Sequence, residues 1–110
     1  MFKVRVTPQA VADLEEIKRY ISDDLSNPQA AADLVALVFE RIRGLVSLPQ
    51  TGAHLRTNIP TLKIYRFIPC KNYLVFYRTE EKCVSVIRIL YARRDYLGLL
   101  DPDKKVDDDG

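Results

Sequence analysis

Two places in this chain open a helix with the same device. Thr7 is followed by Pro8 and Asn27 by Pro28, each a capping side chain ahead of a ring suited to the first helical position. Behind Pro8, the residues Ala10, Leu14, Ile17, Ile21 and Leu25 recur at helical spacing. Behind Pro28, Leu34, Val38, Ile42 and Leu45 run beside a second line of Val35, Phe39 and Val46, a wider stripe that predicts deeper burial. So little chain joins the two helices that they must fold back as an antiparallel hairpin. Such a hairpin needs another layer against its apolar side. With 110 residues at 47% hydrophobic content, the chain can build one compact core and not two.

The sequence on either side supplies that layer. In "FKVRV", Phe2, Val4 and Val6 alternate with Lys3 and Arg5, the period of a short edge or near-edge strand. "QTGAHLRTNIPT" holds Gly52, Asn58 and Pro60 without any period and reads as a loop. After it, "LKIYRFI", "YLVFYRT" and "CVSVIRILY" are β-branched and aromatic runs, and the links "PCKN" and "EEK" are short enough for hairpins. "RRDYLGLL" predicts a short helix or turn. The expected fold class is α+β: N-terminal strand, antiparallel helical hairpin, three-stranded antiparallel meander completing a four-stranded sheet, and short C-terminal helix. Residues 1–100 form the domain, and 101–110, "DPDKKVDDDG", an acidic disordered tail.

Arginines stand inside strands of this meander, which side-chain parity helps to place. If Thr79 pairs with Cys83, then Arg78 shares a face with Val84, Phe76 with Val86 and Leu74 with Arg88, so Arg78 and Arg88 lie on one side. A tight turn at Pro69 to Lys71 adds Arg66 to that side. It leaves Tyr65, Phe67, Tyr73, Val75, Tyr77, Ile87, Ile89 and Tyr91 on the other. A buried unpaired charge costs several kcal/mol, so Arg88 is expected to meet a carboxylate, with Asp95, Glu40 or a partner's residue as candidates, or to open onto a working face.

Most catalytic chemistry is excluded by inventory. The one histidine, His54, has no histidine partner, and Cys70 and Cys83 are set at opposite ends of the hairpin strands, too far apart for a disulfide or a shared metal. The four glycines are scattered, so no phosphate loop forms. No metal or cofactor is expected. No run is apolar enough to span a membrane and no signal peptide opens the chain, so a cytoplasmic protein with free thiols is expected. Up to Leu100 there are fifteen Lys and Arg against ten Asp and Glu, and beyond it two against five, so a basic body of +5 carries a tail of −3. The basic residues Lys63, Arg66, Lys71, Arg78, Lys82, Arg88, Arg93 and Arg94 interleave with aromatics in the C-terminal half, a composition that suits phosphates and stacked bases. The same composition suits core aromatics whose neighbouring arginines pair with carboxylates.

Four pieces in order resemble one family. They are "VTPQAVADLEEIKRYI", Pro49 with Gly52 as a Pro-x-x-Gly turn, "RFIPCKNYLVFYR" and "RILYARRD". The chain resembles the RelE/ParE toxins of bacterial type II toxin-antitoxin modules, and within them the ParE-like, plasmid-stabilisation branch. The resemblance implies a toxin neutralised by a cognate antitoxin protein, inhibiting growth by binding DNA gyrase, with Arg66, Arg88, Tyr91, Arg94 and Asp95 at positions of the ParE-like pattern; Arg78, on the face of Arg88, and Arg93, which follows the strand with Arg94, complete the expected target-binding set. Its alternative is a ribosome-dependent mRNA endonuclease, in which Lys63, Arg66, Arg93, Arg94 and Tyr96 carry the reaction. That set departs from the endonuclease pattern: Tyr73 stands where arginine is usual, and Tyr96 falls early in the C-terminal helix. Tyr91 and Ala92 also replace a common histidine and glycine of the ParE-like pattern. A third reading is a degenerate member kept as an antitoxin-binding module.

Overall fold

A computed structural model describes residues 2–100, so the expected acidic tail lies outside the described residues. The order is β1 (Lys3–Val6), α1 (Pro8–Arg19), α2 (Pro28–Ser47), β2 (Ala53–His54), β3 (Arg66–Cys70), β4 (Tyr73–Glu80), β5 (Cys83–Tyr91) and α3 (Leu97–Leu100). Both helix starts form as their sequences predict. The Thr7 hydroxyl accepts from Ala10 N–H (3.2 Å) and the Asn27 side chain from Ala30 N–H (3.1 Å), with the prolines in the first turn. Between the helices, Tyr20–Asp24 winds a wider π-type turn and Ser26 takes a φ of 52°. Leu25, expected on the apolar stripe, is thereby turned outward and left 55% exposed.

The α2 stripe is also narrower than expected. Leu34, Val38, Ile42 and Leu45 are buried, but Phe39 of the second line is 45% exposed, because that line borders an open groove shared with Val11 of α1.

The sheet has five strands in the order β1-β5-β4-β3-β2, with β1 parallel to β5 and the rest antiparallel. The added fifth strand is β2, which pairs Ala53 with Phe67 and His54 with Arg66 inside the segment expected to be loop. The segment from Leu62, expected to open the next strand, is instead held by a 3-10 turn at Pro60–Leu62. The two hairpin turns are Lys71–Asn72 and Glu81–Lys82, each with its first residue at positive φ, 54° and 51°.

These two-residue turns correct the expected register. Cys70 pairs with Tyr73, so Arg66 stands opposite Tyr77 and not on the side of Arg78, and Phe67 joins Phe76. Glu80 pairs with Cys83, so Val86 stands opposite Tyr77 rather than beside Phe76. A bulge at Ile87 then restores parity, leaving Arg88 opposite Phe76 and on the side expected of it.

Each face of the sheet covers a cluster. Under the helices lie Ile68, Cys70, Val75, Tyr77, Val84, Val86 and Ile89 with Ala10, Leu34, Val38, Ile42 and Leu45. On the other face, Leu55, Leu62, Tyr65, Phe76, Leu90 and Leu100 close a smaller cluster, joined by Phe67, Ile87 and Tyr96. Tyr65, Phe67 and Ile87 therefore belong with Phe76 and not with Tyr73, Val75 and Tyr77.

Candidate functional site

β1 stops short of its neighbour. Its last pair is Val6 with Val86, so the outer edge of β5 beyond that point has no strand to bond among the described residues. α1 fills the gap. Thr7 N–H donates to Val86 C=O (3.0 Å) and its hydroxyl to Ile87 C=O (3.0 Å). One turn on, Asp13, only 7% exposed, accepts from Ile89 N–H at 3.0 Å. The same carboxylate takes both donors of the Arg88 fork, Nε at 2.8 Å and Nη2 at 3.0 Å, and a further contact from Gln9 at 3.3 Å. The arginine in the strand interior is thus paired, but with Asp13 and not with Asp95 or Glu40. A bidentate, charge-assisted pair of this kind fixes α1 against β5. Asp13 was legible in one respect: it lies three residues after Ala10 and four before Ile17, a lone carboxylate on an apolar stripe.

A second constellation gives the Pro49 and Gly52 turn its mechanism. The Tyr77 hydroxyl donates to Pro49 C=O (2.8 Å) and accepts from Gly52 N–H (2.8 Å). Arg66 Nη1 donates to Gly52 C=O (2.8 Å) and Gln50 C=O (3.3 Å). A Cβ at Gly52 would meet the Tyr77 hydroxyl at 2.6 Å and Phe67 C=O at 2.7 Å, so only glycine fits. Burial raises the Tyr77 pKa, although the Gly52 N–H and the Arg66 guanidinium pull it back down. Arg66 therefore serves as a brace for the turn that leads into β2.

The third constellation faces solvent at the far end of β5. Tyr91 and Tyr73 are cross-strand partners with rings edge to face at 5.7 Å. Ala92 N–H donates to Asn72 C=O (2.9 Å) and Arg94 N–H to Tyr91 C=O (3.0 Å), which turns the chain back just past the strand. Together Glu16, Ile17, Tyr20, Leu25, Asn72, Tyr73, Tyr91 and Arg94 line a cavity of about 590 Å³. Tyr20, Leu25 and Tyr91 are among the large apolar residues most exposed, at 48%, 55% and 44%, and all three meet here. Burial first, then the Tyr20 and Tyr91 phenols alongside, raise the Tyr73 pKa above its ordinary 10.0. The site offers aromatic walls with one guanidinium and one carboxylate at the rim. It is suited to gripping a partner's side chain.

The other residues singled out in the sequence are spread apart. Arg93 and Asp95 are exposed beside Arg94, while Lys63 is exposed after the 3-10 turn. Tyr96 has its ring on Phe76, centroids 5.0 Å apart, in the second cluster. Arg78 contacts Glu80 at 3.3 Å near the opposite end of β4. Tyr20 and Leu25, which help to build the cavity, escaped the sequence reading because helical spacing alone assigned Leu25 to the core.

A family model described as the ParE toxin of the type II toxin-antitoxin system, parDE, matches residues 4–96. No curated protein matches the chain. Among solved structures, the fold is similar to the chromosomal ParDE toxin-antitoxin system from P. aeruginosa, with a TM-score of 0.70 at 22% identity over 84% of this chain and 98% of that one. It is also similar to a YoeB/ParE toxin from Agrobacterium tumefaciens, at 0.61 and 18% over 82% and 98%. The RelBE2 toxin-antitoxin complex from Mycobacterium tuberculosis follows at 0.53 and 22% over 82% and 96%. With the match spanning nearly the whole domain, from β1 to the residue packed against Phe76, the chain belongs to the ParE toxin family of type II toxin-antitoxin systems, within the RelE/ParE superfamily.

Proposed function

We propose that this toxin is held inactive in the cytoplasm by a cognate antitoxin and, once released, arrests growth by binding DNA gyrase without bond-breaking chemistry of its own. One observation carries the choice of target. The groups that an RNA-cleaving site would use are dispersed: the Arg66 guanidinium is bonded to two main-chain carbonyls, the Tyr96 ring is tilted against Phe76, and Lys63 sits on a separate turn. What does converge is Tyr91, Tyr73 and Arg94 around an open aromatic cavity with Arg93 exposed alongside, a surface suited to a protein partner. Relatives described as a ParDE system and a RelBE2 toxin-antitoxin complex support the antitoxin. An antitoxin segment with apolar and acidic residues is expected to cover on the order of 2,000 Å².

Inducible expression in bacteria tests the target. SOS induction and DNA breakage ahead of any fall in translation support gyrase. Immediate translation arrest with cleaved mRNA would replace this reading with the endonuclease one.

A further inference from the structure

Away from the helices, at the end of the sheet opposite the tyrosine cavity, three residues form a row across adjacent strands. Arg5 of β1 pairs with Ser85 of β5, and Ser85 pairs with Arg78 of β4. Val4, Val6, Tyr77, Val84 and Val86 alternate with them and pack toward the helices, so the row faces the other way. Ser85 is fully buried beneath it, and its hydroxyl accepts from Arg5 Nη2 at 3.4 Å, which draws that guanidinium inward from the edge strand. In the next row, Lys3 and Glu80 flank Cys83.

The arrangement is incomplete as an ion pair. Glu80 meets Arg78 through one contact only, Oε2 to Nη2 at 3.3 Å, and its side chain is half exposed. Arg78 Nε is shielded from solvent and has no hydrogen-bond partner among the described residues. A shielded guanidinium donor without an acceptor is unfavourable, and a fork built for two parallel hydrogen bonds is only in ion-pair contact with Glu80. Among the described residues, two guanidiniums and the Lys3 ammonium stand against the Glu80 carboxylate, a net positive row. The two guanidiniums come from the strands on either side of β5, an arrangement that suits tetrahedral oxygens better than a second planar carboxylate.

We propose that the Arg5, Ser85 and Arg78 row is a binding site for a phosphate group, with Lys3 at its rim and Glu80 as a displaceable stand-in. When the phosphate enters, Glu80 swings out, the Nε and Nη2 edge of Arg78 takes two phosphate oxygens, and Arg5 takes a third. Ser85 does not touch the phosphate; it positions Arg5.

The test follows the arginine Nε–H resonances of the folded protein in 15N-correlated NMR spectra while inorganic phosphate replaces chloride at constant ionic strength. A saturable shift at Arg78 and Arg5 is expected, weakened about tenfold by Arg5→Gln. Glu80→Gln is expected to tighten binding, since it removes the competitor. Arg5 is exposed on an edge strand, so its variant keeps the test valid even if Arg78→Gln fails to fold. A short single-stranded DNA titrated in parallel separates the sources of the group. Tighter, Arg5-dependent binding of the DNA assigns a nucleic-acid phosphodiester, and binding of inorganic phosphate alone assigns a free phosphate. Shifts that grow linearly and equally at all arginines, an Arg5→Gln variant that binds as the parent does, or an acidic peptide that outcompetes phosphate would each overturn the proposal.

Discussion

At the scale of single residues, two positions remote from the exposed cavity decide whether the scaffold holds. Asp13 neutralises Arg88 and caps Ile89 N–H at once, so Asp13→Ala strands a mostly buried guanidinium and a backbone donor. A cost of about 3 to 5 kcal/mol is expected in urea unfolding. Replacing both partners by apolar residues, Asp13→Leu with Arg88→Met, should recover much of that loss, because no charge is then left without its partner. A double-mutant cycle measures the coupling. Gly52 is the other such residue. Gly52→Ala drives a methyl into the Tyr77 hydroxyl and Phe67 C=O, with an expected loss of about 1 to 3 kcal/mol. Tyr77→Phe, which strands Gly52 N–H and Pro49 C=O, is expected to lose a similar amount. Thermal melts of the two variants check both values.

At the scale of elements, the β4–β5 hairpin joins a buried middle to an exposed open end at Tyr73 and Tyr91. Tyr73 and Tyr77 both have raised pKa values, chiefly from burial. Above the ordinary tyrosine value of 10.0 the unfolded chain has lost these protons while the folded chain still holds them. Their contribution is therefore complete below that pH and lost as pH rises through the folded values. Stability is expected to fall from pH 10.0 upward, and Tyr73→Phe should flatten the slope; a Tyr73→Phe protein with the parent's alkaline profile would place the effect elsewhere. At the open end of the hairpin, Arg93 and Arg94 follow β5 and are exposed, so the double variant Arg93→Ala, Arg94→Ala is expected to keep the parent's melting temperature and antitoxin binding while losing growth arrest. A folded double variant that still arrests growth removes the pair from the working surface.

At the scale of the whole molecule, the sheet is covered unequally. The helical hairpin closes one face, whereas the other depends on the loop around Leu55 to Tyr65 and on the C-terminal segment, where Tyr96 packs against Phe76 and Leu100 is only 5% exposed. Ending the chain after Asp95 uncovers Phe76 and Leu90, and a fall in melting temperature of about 10 °C or more is expected. Ending it after Leu100 keeps every member of that cluster and is expected to leave the melting temperature unchanged.

The elements that sequence alone determined are those set by local chemistry. Thr7-Pro8 and Asn27-Pro28 place both helix starts, since a cap and a pre-set φ act within one turn of chain. Alternation and β-branching likewise bring out β1, β4 and β5, and the order of these elements suffices for the family. Register lay beyond sequence, because one residue in a turn reverses every side chain after it: Lys71–Asn72 and Glu81–Lys82 moved Arg66 and Val86, and the Ile87 bulge returned Arg88. The partner of Arg88 was equally hidden. Asp13 lies seventy-five positions away along the chain, and only the short β1, leaving the edge of β5 for α1 to fill, brings its carboxylate there. The phosphate row and the tyrosine cavity are assembled in the same way, from residues on different strands and helices whose neighbourhood exists only once the sheet has formed.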